Sequence, residues 1–73
     1  MQPTQNPTLR LIDRWAVIDR LGISESTLER MMVREVDFPQ PRRISSRSIR
    51  WLEHEVDAYI RKLETVDYFG EDD

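Results

Sequence analysis

The sequence has no cysteine and a single histidine, His54. That excludes disulfides, thiolate zinc sites and cysteine nucleophiles, and it leaves no pair of histidines to hold a metal. Glycine is nearly missing, with two residues in 73, and no P-loop, glycine-rich fingerprint or nucleophile elbow is present. No apolar run approaches the roughly 20 residues of a membrane helix, and no signal-peptide pattern is seen. A cytoplasmic protein without membrane contact is therefore expected. Apolar residues make up only 38% of the chain. A chain this short buries only about 60% of its unfolded surface, and its core supplies roughly 3–5 kcal/mol of net stability. So small a core favours a binding module over an enzyme with an elaborate pocket. No catalytic residue, metal or cofactor is expected.

The charge is unevenly spread. Residues 9–50 carry nine arginines and six acids, or +3, whereas residues 51–73 carry two bases and eight acids, or −6. Together they give the net −3 of the whole chain. Within residues 38–50 stand Arg42, Arg43, Arg47 and Arg50 with no acid among them. The pI near 5.1 argues against nucleic acid. A phosphate backbone responds to the local distribution, however, and that distribution argues for it.

Residues 1–8 are uncharged and polar, with Pro3 and Pro7, and read as a disordered lead-in. Asp13 is a plausible N-cap for a first helix. Val17, Ile18 and Leu21 share one face of it, with Leu11 and Ile12 packing just ahead. Trp15 points about 100° away from that face and should be half exposed. Gly22 suits the C′ position. Ser24 can cap a second helix, with Glu25 in its first turn and Leu28, Met31 and Met32 as the buried stripe. Two short helices joined through Gly22, Ile23 and Ser24 make a helix-turn-helix.

Phe38-Pro39-Gln40-Pro41 ends helical structure. Two short strands follow, Arg42-Arg43-Ile44 and Ser48-Ile49-Arg50-Trp51, around Ser45-Ser46-Arg47. Ile49 and Trp51 should face inward, Ser48 and Arg50 outward. A hairpin after a helix-turn-helix is a wing. The last helix carries Leu52, Val56, Tyr59, Ile60 and Leu63 on one stripe, with His54 exposed opposite. Glu53, Glu55 and Asp57 should be scattered over its surface, which speaks against a metal site. Residues 64–73 form an acidic, flexible tail. The expected fold is mainly α with a small β-hairpin: three helices plus a wing over residues 9–63.

With its stripe inward, the second helix presents Ser26, Thr27, Arg30, Val33 and Arg34. Arg30 and Arg34 are four apart, a like-charge pair that costs a few tenths of a kcal/mol in an isolated helix. Phosphates or a guanine edge would relieve it, since arginine binds guanine O6 and N7 bidentately and short hydroxyls reach phosphate or base. An ordinary solvated face is the alternative. The hairpin suits phosphate backbone or minor groove through Arg42, Arg43, Arg47 and Arg50. Its alternative is a charged edge that blocks strand pairing. Glu29, at the rim of the helix face, can accept from cytosine N4 or temper the arginines.

Four motifs, in order, carry a family resemblance. They are Gly22-Ile23-Ser24-Glu25-Ser26-Thr27-Leu28-Glu29-Arg30, Phe38-Pro39-Gln40-Pro41, Arg47-Ser48-Ile49-Arg50-Trp51 and Glu55-Val56-Asp57-Ala58-Tyr59. In these the chain resembles the AlpA-type prophage regulators, relatives of phage excisionases with a MerR-like winged helix-turn-helix. The resemblance covers about residues 9–63. It implies a small transcriptional regulator, bacterial or phage-encoded and nucleoid-associated, that binds double-stranded DNA. It also implies recognition-helix contacts from Ser24, Ser26, Thr27, Arg30 and Arg34. It places the wing tip on Ser45, Ser46 and Arg47; with the patterning of the hairpin, the expected wing contacts are Arg42, Arg43, Ser45, Ser46, Arg47, Ser48 and Arg50. Family members activate integrase transcription, repress phage promoters or bend attachment-site DNA as excision factors. Implied partners are further copies on DNA, an integrase or RNA polymerase. A protein-interaction adaptor using the acidic last helix and tail is the rival class. Val36 stands where the family usually has glycine, so the second helix should end without a left-handed cap. Ser45 and Ser46 replace wing-tip glycines, and Tyr59 a tryptophan.

Overall fold

The computed structural model describes residues 9–68. The expected lead-in, residues 1–8, and the last five residues of the acidic tail lie outside the described residues. The elements run β1 (Leu11–Ile12), α1 (Arg14–Leu21), α2 (Glu25–Arg34), β2 (Arg42–Ser45), β3 (Ser48–Leu52) and α3 (Glu53–Lys62). Three helices and an antiparallel hairpin in this order make a winged helix-turn-helix, as the patterning predicts.

Local chemistry accounts for the helix ends. The Asp13 carboxylate accepts from the Ala16 N–H at 3.0 Å and opens α1. Gly22 closes it with φ 67° and ψ 39°, the left-handed conformation that glycine adopts without strain. Ser24 Oγ accepts from the Thr27 N–H at 3.1 Å and opens α2 two residues later. That helix ends on Glu35 at φ −91°, and among the described residues no non-glycine residue has positive φ. The left-handed cap expected to be lost at Val36 is indeed missing.

The wing differs from expectation in length and shape. β2 and β3 include Ser45 and Leu52, so the tip is only Ser46-Arg47. Arg42 pairs Arg50 and Arg43 pairs Ile49, but Ser45 pairs Ser48, which leaves Ile44 as the extra residue of a bulge. A two-residue loop normally wants positive φ to match strand twist. Here no residue supplies it, and the bulge takes up the mismatch.

The sheet also holds a strand that sequence patterning did not anticipate. Leu11 and Ile12 pair with Leu52 and Trp51, making β3 the central strand in the order β1-β3-β2. The same segment starts α3. No side chain caps that helix, but the Glu53 N–H donates to the Arg10 carbonyl at 2.8 Å. Leu52 is therefore the last residue of a strand, not part of the helical stripe. Leu63 also falls outside it, because α3 stops at Lys62 and Leu63 is exposed.

The buried core is Ile12, Val17, Leu28, Phe38, Trp51, Val56 and Tyr59. Every helix, β1 and β3 contribute to it, and β2 contributes nothing. Ile18, Leu21, Met31, Met32, Ile49 and Ile60 pack around it, partly buried. In the sequence Phe38 stands out only as part of a proline-rich breaker. Its ring meets Tyr59 edge-to-face at 4.9 Å and locks the α2–β2 loop onto α3. Burial pushes the Tyr59 hydroxyl above the ordinary value of 10.0, with the Glu35 and Asp37 carboxylates acting in the same direction. No described helix is long and apolar enough to cross a membrane.

Candidate nucleic-acid interface

The outward face of α2 is polar and open. Ser26, Arg30, Val33 and Arg34 are exposed and Thr27 is half-buried. Ser24 uses its oxygen as the cap acceptor and donates to Thr27 Oγ1 at 3.0 Å. Arg30 also donates to Thr27 Oγ1, at 3.3 Å. Thr27 thus holds the Arg30 guanidinium along the helix face. Neither Arg30 nor Arg34 has a carboxylate partner among the described residues, so the like-charge pair stands unrelieved. Val33 lies between them at 85% exposure, an apolar side chain that the core does not use.

The wing repeats the pattern. Arg42 and Arg50 are direct cross-strand partners, an arrangement of like charges that destabilises a sheet. Two contacts ease it. Arg42 Nη2 reaches Glu55 on α3 at 2.7 Å, and Arg50 Nη1 donates to the Ile49 carbonyl at 2.7 Å. Arg50, expected to face solvent, is consequently half-buried. Arg43 donates to the Ser46 carbonyl at 3.2 Å, and Ser45 Oγ accepts from the Arg47 N–H at 3.4 Å, which together brace the tip. Arg43 and Arg47 are exposed and have no carboxylate partner among the described residues. Ser48 is half-buried at the base.

Of the remaining arginines, Arg14 and Arg20 are paired, whereas Arg10 and Arg61 have no carboxylate partner among the described residues. Arg14, at the start of α1, bridges to Glu25 at the start of α2. Arg20, at the end of α1, bridges both Glu53 and Asp57 of α3, the latter at 2.5 Å. Of the three acids at the start of α3, two come together and the third points elsewhere. Glu53 and Asp57 are four apart, share one face and converge on Arg20, while Glu55 turns to Arg42. No group of acids and histidine among the described residues could hold a metal ion.

Two clefts flank this framework. One, of about 340 Å³, runs between the α2–β2 loop and α3, and there Asp37 and Glu55 balance Arg42 and Lys62. The other, of about 280 Å³, separates the start of α1 from the wing and sets Arg14 and Trp15 against Arg47, Ser48 and Arg50. Trp15, absent from the residues proposed from sequence, is 62% exposed there. Its position 100° off the apolar stripe was the available signal.

No curated protein and no solved structure matches the chain. The family model described as prophage CP4-57 regulatory protein (AlpA) matches residues 10–64, a span that takes in every element from β1 to α3. The chain belongs to the AlpA family of prophage regulatory proteins.

Proposed function

We propose that the protein is a transcriptional regulator that binds double-stranded DNA with α2 in the major groove and the wing on the backbone or an adjacent minor groove. One observation carries this reading. Arg30, Arg34, Arg43, Arg47 and Arg50 lie on α2 and the wing with no carboxylate partner among the described residues, while Arg14, Arg20 and Arg42 are all paired. The like-charge pair Arg30 and Arg34 is kept at a cost to stability that phosphates would reverse, whereas Arg42 beside Arg50 is already eased by Glu55. Arg30 and Arg34 read bases, helped by Ser26 and Thr27, and Val33 offers an apolar contact for a thymine methyl. Ser24 acts mainly by capping α2. Arg43, Arg47 and Arg50 hold phosphates, with Ser45, Ser46 and Ser48 as short donors, and Arg42 joins them if it leaves Glu55.

Residues 9–63 form the binding unit, and residues 64–73 are an acidic appendage outside it. A module this small buries roughly 600–1,000 Å² on DNA, so useful affinity calls for adjacent copies or a partner such as an integrase or RNA polymerase. Arg30→Ala should reduce discrimination between a selected site and random duplex by about 1–3 kcal/mol. Arg47→Ala should weaken both alike and flatten the salt dependence by about one unit of log–log slope. Gel-shift titrations in which the two variants behave the same would overturn the division into reading helix and anchoring wing.

A further inference from the structure

Trp15 is a large apolar side chain that the fold leaves in water. Its α1 neighbours Val17, Ile18 and Leu21 make that helix's core contacts, while Trp15 forms one wall of the cleft facing the wing. The charges in that cleft are unequal. Its one carboxylate, Asp13, is engaged in capping α1, and Arg14 is engaged with Glu25. Arg47 and Arg50 remain, on the opposite wall, without a carboxylate partner among the described residues. The Arg14–Glu25 bridge also ties the α1 wall of the cleft to the start of the reading helix.

We propose that this cleft takes one strand of the DNA backbone, with a phosphate on Arg47 and Arg50 and the adjoining deoxyribose against the indole of Trp15. The inference rests on the DNA-binding reading above and extends that interface to α1. The indole suits the task because it offers a flat apolar face to a sugar and one N–H to a phosphate oxygen. Contacts of this kind position the protein and carry no sequence information. Trp15 therefore adds affinity for specific and random duplexes alike.

The two tryptophans make the test direct. Trp51 is 1% exposed and Trp15 is 62% exposed, so acrylamide quenching of the full chain reports Trp15. Saturating duplex should shield Trp15 and lower the quenching constant severalfold, whereas a free mononucleotide at the same phosphate concentration should not. Trp15→Ala should weaken specific and random duplexes equally, by roughly tenfold, which is what burying about 50 Å² of indole is worth. Its circular dichroism and melting should match those of the parent, and Trp15→Phe should recover part of the affinity. Duplex binding with unchanged quenching, or Trp15→Ala binding within twofold of the parent, would overturn the cleft contact alone. If the parent bound no duplex at low salt, the DNA reading itself would fall, and the cleft contact with it.

Discussion

α2 and α3 are both ten residues long, and both present charged side chains away from the core. They use that charge in opposite ways. α3 places Glu53, Glu55 and Asp57 where each meets an arginine from another element, so its acids act as latches between α1, the wing and itself. α2 places Arg30 and Arg34 where no described carboxylate reaches them. Arg61 and Lys62 also have no carboxylate partner among the described residues, but they occupy the last turn of α3, where a cation suits the helix dipole. Arg30 has no such position, and Arg34 in the last turn of α2 still stands beside it. Charge paired inside the molecule is structural, and the outward, crowded arginines of α2 are the ones we propose meet their counter-charge on DNA. Net charge is too coarse to show this, because the acids that make the chain −3 lie largely on and beyond α3.

The contrast requires a single core that holds both helices, and Trp51 is at its centre. Trp51→Ala should cost about 3–5 kcal/mol, close to the whole stability of so small a domain, and leave the protein largely unfolded. Trp51→Phe should lose much less. The Trp51 indole N–H is buried without an acceptor, so phenylalanine sacrifices packing area but no hydrogen bond. A cooperatively melting, native-like Trp51→Ala protein in circular dichroism would contradict the core as described.

A matched pair of substitutions then separates the two uses of arginine. Arg20→Gln removes two bridges whose partners Glu53 and Asp57 are 22% and 32% exposed, and should lower stability by about 0.5–1 kcal/mol while leaving the DNA salt dependence as it was. Arg34→Gln should leave stability unchanged or raise it by a few tenths of a kcal/mol, and should weaken duplex binding. Thermal melts and gel shifts on the same two proteins read both effects. A reversal of the two patterns would exchange the roles assigned to the two helices.

The smallest effect lies at alkaline pH. The folded state raises the Tyr59 pKa, so it favours the neutral phenol. Unfolded tyrosine ionises from about pH 10, while folded Tyr59 still keeps its proton. The stability from this group is thus present below pH 10 and is lost as pH rises through the folded value. Tyr59→Phe should remove that part of the decline in denaturant melts between neutral and alkaline pH. An unchanged decline would assign it to other groups.

Elements that depend on neighbours in the chain were legible from sequence. Asp13, Gly22 and Ser24 punctuate the helices as their chemistry dictates, and Trp51 and Val56 follow period 2 and period 3.6 into the core. Features that depend on distant partners were not. β1 is two residues long, too short to show alternation, and exists because β3 offers it an edge. Phe38 sits between an acid and a proline, where local rules show a break in the helix and give no sign of burial. Leu52 and Leu63 fit a helical stripe by spacing, but the helix they extend stops one residue short of each. The bridges from Arg20 join residues 33 and 37 apart in sequence, and only the fold brings them together. The candidate interface was legible in its residue types, because arginine on an outward face is visible from a helical wheel. That Arg42 is paired and Arg50 half-buried was not.

The central claim is that the unpaired arginines of α2 and the wing neutralise DNA phosphates, and salt dependence tests it most directly. Binding of the full chain to duplex DNA should weaken linearly in log–log form as salt rises. Five arginines near phosphates set the slope at roughly −4 to −5. A slope near zero, or no duplex binding even at low salt, would contradict the account.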